Sequence, residues 1–221
     1  MTLETGLLAL ESILLVATLI LIVYSIREGR QRDKLILEIG KATKVLTRQE
    51  YFLTVIDAMM DAEEELIGCI TGRMPGGDDK KMTKDIVDII EKMTKKGVRV
   101  KYLLPKFPDR LHIGYMYTKA GAEVLYSRCL MVHNLRFISV DDRFVVLGIP
   151  EIIGETEATK KGYRIPSEGI AMLLKQYFQS CEQQITFKDY VKEVLSQTGA
   201  TLKHLAREIQ IDEEELQKLA E

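Results

Sequence analysis

Residues 7–26, LLALESILLVATLILIVYSI, hold one charged side chain, Glu11, and none from Ser12 to Ile26. Twenty helical residues rise about 30 Å, the thickness of a bilayer's hydrocarbon core. Glu11 falls near one end, within reach of the interface. A cleaved signal peptide would open on basic residues and close on a small-residue cleavage site. This chain opens with Glu4, carries no Lys or Arg before the apolar run, and has no A-x-A pattern after it. A transmembrane helix over 7–26 that stays attached as an anchor is therefore expected.

The flanks set the expected orientation. The stretch REGRQRDK, 27–34, has four basic residues against two acidic ones, and Lys41, Lys44 and Arg48 extend the excess. The positive-inside rule then places the long carboxyl-terminal part in the cytoplasm. Within a linker over 27–46, apolar residues recur at Leu35, Ile36, Ile39, Ala42, Val45 and Leu46, a helical spacing. That juxtamembrane helix is a solvated connector, a segment lying on anionic lipid, or a surface that pairs with a second copy.

Beyond residue 46 the pattern changes to alternation. TRQEYFLTVIDAMMDAEE has one apolar face, and Thr47 with Glu50 three residues later forms a candidate capping box. ELIGCIT reads as a buried strand and MPGGDDKK as a loop. KMTKDIVDIIEKMTKK is an amphipathic helix closed by Gly97, and VRVKYLL alternates as a strand. DRLHIGYMYTKAG is a shorter helix closed by Gly121, and AEVLYS is the next strand. LRFISV and FVVLG form a hairpin about Asp141, Asp142 and Arg143. SEGIAMLLKQYFQSCEQQI follows as one long helix. The alternation predicts an α/β fold, a mixed sheet flanked by helices, spanning 47–190.

The hairpin region, VHNLRFISVDDRFVVLGIPE, carries the chemistry. It resembles the signature H-x-K-x4-D-x6-G-S-x-N of the phospholipase D-like superfamily, and the order of elements around it is similar over about residues 47–185. Aligned on Asp141 and Gly148, Asn134 stands at the histidine position and Arg136 at the lysine position. Ile149 and Glu151 stand at the serine and asparagine positions. The resemblance implies the superfamily's mixed sheet and a phosphate-binding site at Asn134, Arg136, Asp141 and Glu151. It also implies lost catalysis, because an amide neither attacks phosphorus nor titrates. Arg136 keeps a charge that can clamp a phosphate, whereas Glu151 opposes an anion unless it pairs with Arg136. His133, one residue off register, is the weak candidate for a catalytic imidazole. As a residue at the entry to a strand, it points away from the site. Asp141 serves either the site or the turn. Family enzymes bring two motif copies together, and this chain has one, so a homodimer is implied.

Thirty-one basic and 33 acidic residues leave a net charge of −2, without the basic surplus of a nucleic-acid binder. Cys69, Cys129 and Cys181 are widely spaced and form no CxxC pair, so buried thiols in a reducing compartment are expected, with no metal and no cofactor. The tail over 198–221 has the apolar spacing of a helical hairpin, at Leu205, Ala206, Ile209, Ile211, Leu216 and Leu219. From Leu205 to Glu221 it has six acidic residues and two basic ones, which argues against DNA and for docking on its own domain or on a partner protein. SQTGA reads as a hinge before it. The function expected is a membrane-anchored, non-catalytic binding or regulatory module. The alternatives are an active phosphodiesterase, whether phospholipase or nuclease, and a regulator with a helix-turn-helix-like tail.

Overall fold

The computed structural model describes residues 12–30, 44–75, 79–149 and 161–220. The chain divides into two units, 1–42 and 43–221. In the first, helix α1 (Ser12–Arg30) is long and apolar enough to cross a membrane, and none of it is buried in protein. Its 19 residues rise about 28 Å. Thr18 donates its hydroxyl to the Leu14 carbonyl at 2.8 Å, so this polar group is satisfied within the helix. Glu11 and the linker residues 31–43 lie outside the described residues.

The second unit begins with strand β1 (Lys44–Thr47), where a linker and helix had been expected to continue to residue 46 or beyond. Val45 is 61% exposed and Leu46 1%, a two-residue alternation too short to be told from helical spacing in the sequence. Helix α2 (Arg48–Met60) starts at the expected capping box. Thr47 N–H donates to the Glu50 carboxylate at 2.9 Å, and Glu50 N–H donates back to the Thr47 hydroxyl at 3.4 Å. Next come β2 (Glu65–Cys69), α3 (Asp79–Lys95), β3 (Arg99–Pro105), a 3-10 turn (Pro108–Arg110), α4 (Leu111–Lys119) and β4 (Glu123–Ser127). A short helix α5 (Leu130–Asn134) leads to the hairpin β5 (Arg136–Val140) and β6 (Phe144–Ile149). Then follow β7 (Lys161–Ile165), α6 (Glu168–Ser180), β8 (Ile185–Thr186), α7 (Phe187–Thr198), α8 (Leu202–Glu208) and α9 (Glu213–Ala220).

Among the described residues, eight strands form one mixed sheet in the order β1-β7-β6-β5-β2-β3-β4-β8. Strands β2, β3 and β4 are parallel, and every other pairing is antiparallel. Alternation sorts side chains onto two faces. Leu66, Val100, Tyr102, Leu104, Ile138 and Val140 pack beneath α2, α3, α4 and α7. Ile67, Leu103, Phe137 and Val145 pack beneath α5 and α6. The three-residue turn between β5 and β6 places both Asp141 (φ 49°) and Asp142 (φ 55°) in the left-handed region, and the Arg143 N–H donates across it to the Val140 carbonyl at 2.8 Å.

Several expectations change. The long helix stops at Ser180, because the chain then turns back and Ile185 pairs with Tyr126 at the sheet edge. Ser196, Gln197 and Thr198 finish α7 instead of forming a hinge, and Gly199 (φ 65°) caps it. Cys129 and Cys181 are joined in a disulfide, so only Cys69 is a free, buried thiol. That turn after α6 brings Cys181 to Cys129 across 52 residues of sequence. In the tail, Leu205, Ala206, Ile209 and Leu216 are buried in the main core. The His112 ring nitrogen donates to the Ile209 carbonyl at 2.7 Å, and Lys119 pairs with Glu215 at 2.7 Å.

Candidate functional site

Strand β5 runs antiparallel to β2 and parallel neighbours β2 and β3 end at the edge where β5 begins. Loops at the carboxyl ends of parallel strands are where α/β folds place ligands. Three arginines arrive there. Arg136 opens β5, Arg73 follows Gly72 in the loop after β2, and Arg110 closes the 3-10 turn after β3.

Arg136 is 8% exposed. It shares strand parity with Ile138 and Val140, so its side chain belongs to the face covered by α2. Its strand partner is Gly148, whose own partner on β7 is Gly162. The Tyr51 side chain of α2 fills the space over Gly162, where an added Cβ would come within 3.0 Å of the Tyr51 Cβ and Cγ. Gly162 thus lets an aromatic ring lie close to the sheet. Burial lowers the Arg136 pKa, the neighbouring charges of Arg73 and Arg110 push the same way, and Tyr51 and Cys69 oppose them. Burial likewise pushes the Tyr51 hydroxyl and the Cys69 thiol up to about 12, so neither ionises near neutral pH.

Arg110 is 6% exposed. Its Nη1 donates to Asp109 at 2.6 Å, and its guanidinium sits 5.5 Å from the centre of the Phe107 ring. Tyr126 donates its hydroxyl to the Arg110 carbonyl at 3.3 Å, fixing the turn from below. Phe107 also meets His133, with ring centres 5.6 Å apart in an edge-on arrangement. His133 therefore lies in the last turn of α5, not at the entry to a strand, and the strand-alternation argument that turned it away does not apply. Three residues of spacing were read as extended, whereas the backbone there is helical. Asn134 ends the same helix and is exposed.

Asp141 lies at the other end of β5, about 17 Å from Arg136 along the strand. Its carboxylate accepts the backbone N–H groups of Glu63, Glu64 and Glu65 at 2.8 to 2.9 Å, and the Arg143 guanidinium at 3.0 Å. Burial raises its pKa, but those donors outweigh burial and hold it below the usual range. The structure thus brings His133 within one aromatic ring of Arg110 and keeps Asp141 apart from both. Glu151 lies outside the described residues. Sequence reasoning missed Arg73 and Arg110. The available signal was positional, since each arginine falls in the loop directly after a parallel strand.

No protein-family model matches the sequence, and no curated protein matches it. Solved structures do. A phospholipase D family member, Nuc from Salmonella typhimurium, superposes with a TM-score of 0.51 at 16% identity, over 66% of this chain and 97% of that one. NucT from Helicobacter pylori gives 0.51 at 15%, over 65% and 98%. A phosphatidylserine synthase from Haemophilus influenzae Rd KW20 gives 0.50 at 14%, over 80% of this chain and 44% of that one. Identities this low speak to fold alone. With the mixed sheet, the helices on both faces and the β5–β6 hairpin, they show that this chain shares its fold with these structures, among them a phospholipase D family member.

Proposed function

We propose that the chain is a membrane-anchored module that binds a phosphate-bearing ligand at Arg136 without cleaving it. The observation that carries this reading is the position of Arg73, Arg110 and Arg136 at one end of the sheet, in the loops after β2 and β3 and at the start of β5. Arginine forks suit phosphate oxygens bidentately. Asn134, at the position where the superfamily signature has its histidine, supplies no nucleophile. In this reading helix α1 is the anchor, the basic residues after it support a cytoplasmic 43–221 unit, and the single motif copy supports a homodimer.

A second reading is an active phosphodiesterase that uses His133. The packing of His133 on Phe107, next to Arg110, favours it. One experiment separates the two. Full-length protein in detergent micelles is titrated with inorganic pyrophosphate and assayed for hydrolysis of bis(p-nitrophenyl) phosphate. The binding reading expects saturable pyrophosphate binding, weakened about tenfold or more by Arg136→Met, and no hydrolysis above the blank. Hydrolysis that disappears in His133→Ala establishes the second reading and removes the first. Light scattering of the same sample tests the dimer.

A further inference from the structure

The disulfide between Cys129 and Cys181 spans two elements. Cys129 caps the start of α5 and Cys181 the end of α6, with their Cα atoms 5.8 Å apart. Both cysteines are half-buried, in contrast to the fully buried Cys69. A pocket of about 380 Å³ opens over the bridge, lined by Met131, Tyr177 and Ser180 together with Arg128 and Glu182. Those last two are residues of opposite charge, and Arg128 also pairs with Glu193 at 3.6 Å.

Besides the bridge, helix α5 is held by Val132 in the core beneath it and by Met131 packed against that core. It is five residues long, too short to persist by itself. Of those five only Val132 is buried, and Leu130 is 79% exposed. Its His133 packs on Phe107, which in turn carries the Arg110 guanidinium. A line of contacts therefore runs from the pocket through the bridge and α5 to the arginine cluster.

We infer that Cys129–Cys181 is a thiol-exchange site, opened by a small zwitterionic thiol of the glutathione class that enters this pocket, and that opening the bridge loosens α5 at the wall of the arginine cluster. The effect on the cluster rests on its reading as an anion site, whereas the exchange does not. The incoming thiolate attacks the Cys181 Sγ. A new sulfur–sulfur bond forms, the Cys129–Cys181 bond breaks, and Cys129 leaves as a thiolate that takes a proton from water. A second small thiol attacks the outer sulfur of the mixed disulfide and releases Cys181 as a thiol. Two small thiols are oxidised to their disulfide and the protein bridge is reduced, with two electrons and two protons transferred.

The test treats full-length protein in detergent micelles with millimolar reduced glutathione, then alkylates it and maps the labelled peptides. Labelling is expected at Cys129 and Cys181 and not at Cys69. A Cys129→Ser variant given oxidised glutathione is expected to carry the adduct on Cys181. Amide exchange over residues 130–135 is expected to rise about tenfold or more on reduction, as a local tie is lost. A bridge that reacts only after unfolding in denaturant overturns the inference, and so does one that opens with no change in exchange at 130–135. Pyrophosphate affinity is then compared between the two forms. Equal affinity overturns the link to the arginine cluster. Binding by neither form overturns the anion reading instead, and the exchange site is judged on labelling and amide exchange.

Discussion

Replacing Asp141 by Asn removes one charge and keeps the side-chain shape. Asn tolerates the left-handed conformation as well as Asp does, so the φ of 49° adds no strain. The amide oxygen keeps the donors that Oδ1 now holds, the N–H groups of Glu64 and Glu65. The amide nitrogen replaces Oδ2 and faces the Glu63 N–H and the Arg143 guanidinium, donor against donor. Losing two charge-assisted bonds at about 1 to 1.5 kcal/mol each gives about 2–3 kcal/mol. For a domain of this size, that lowers Tm by about 5–10 °C. The pH dependence follows from the depressed carboxyl pKa. A carboxylate held below its unfolded value contributes its full stability above about pH 3.9 and loses it as pH falls through the folded value. The gap between wild type and Asp141→Asn is therefore constant from pH 7 to about pH 5 and closes below about pH 4. Thermal unfolding of the full chain in detergent, followed by circular dichroism across this range, measures it. A gap under about 1 °C at pH 7, or one that persists at low pH, refutes the account. Pyrophosphate binding by Asp141→Asn is expected to match wild type, because Asp141 stands at the opposite end of β5 from Arg136.

Gly162→Ala pushes a Cβ against the Tyr51 side chain, within 3.0 Å of its Cβ and Cγ, and is expected to cost about 1–3 kcal/mol in thermal unfolding. Leu216→Ala empties a fully buried site in α9 and is expected to cost about 2–4 kcal/mol. It is also expected to make the bond between Arg207 and Glu208 accessible to limited proteolysis by trypsin, since α8 and α9 dock together. Cys69, with its thiol pushed to about 12 by burial, is expected to resist iodoacetamide at pH 8 until the chain is unfolded, as read by peptide mass mapping.

Features carried by neighbouring residues were legible in advance. The capping box needs only Thr47 and Glu50 on one turn, and it forms as expected. Gly97 and Gly121 end their helices with φ of 89° and 94°, because only glycine takes that conformation without strain. The Asp-Asp turn between β5 and β6 was legible for the same local reason. What failed was short or long-range. Strands β1, β7 and β8 are two to five residues long and earn their place by pairing with distant segments, so no local period marks them. Helix α5 hid inside a stretch that the motif alignment treated as extended.

The amino-acid sequence by itself determined the apolar helix α1, the alternation of helices and strands, and the β5–β6 hairpin. Those depend on side-chain chemistry and on spacings shorter than one element. Only the tertiary structure decided that Arg73 and Arg110 join Arg136, that Cys129 meets Cys181, and that the carboxyl-terminal helices close over the main core. Each brings together segments tens of residues apart, and their distance in space is set by strand order and register in the sheet, which no local stretch of the chain encodes.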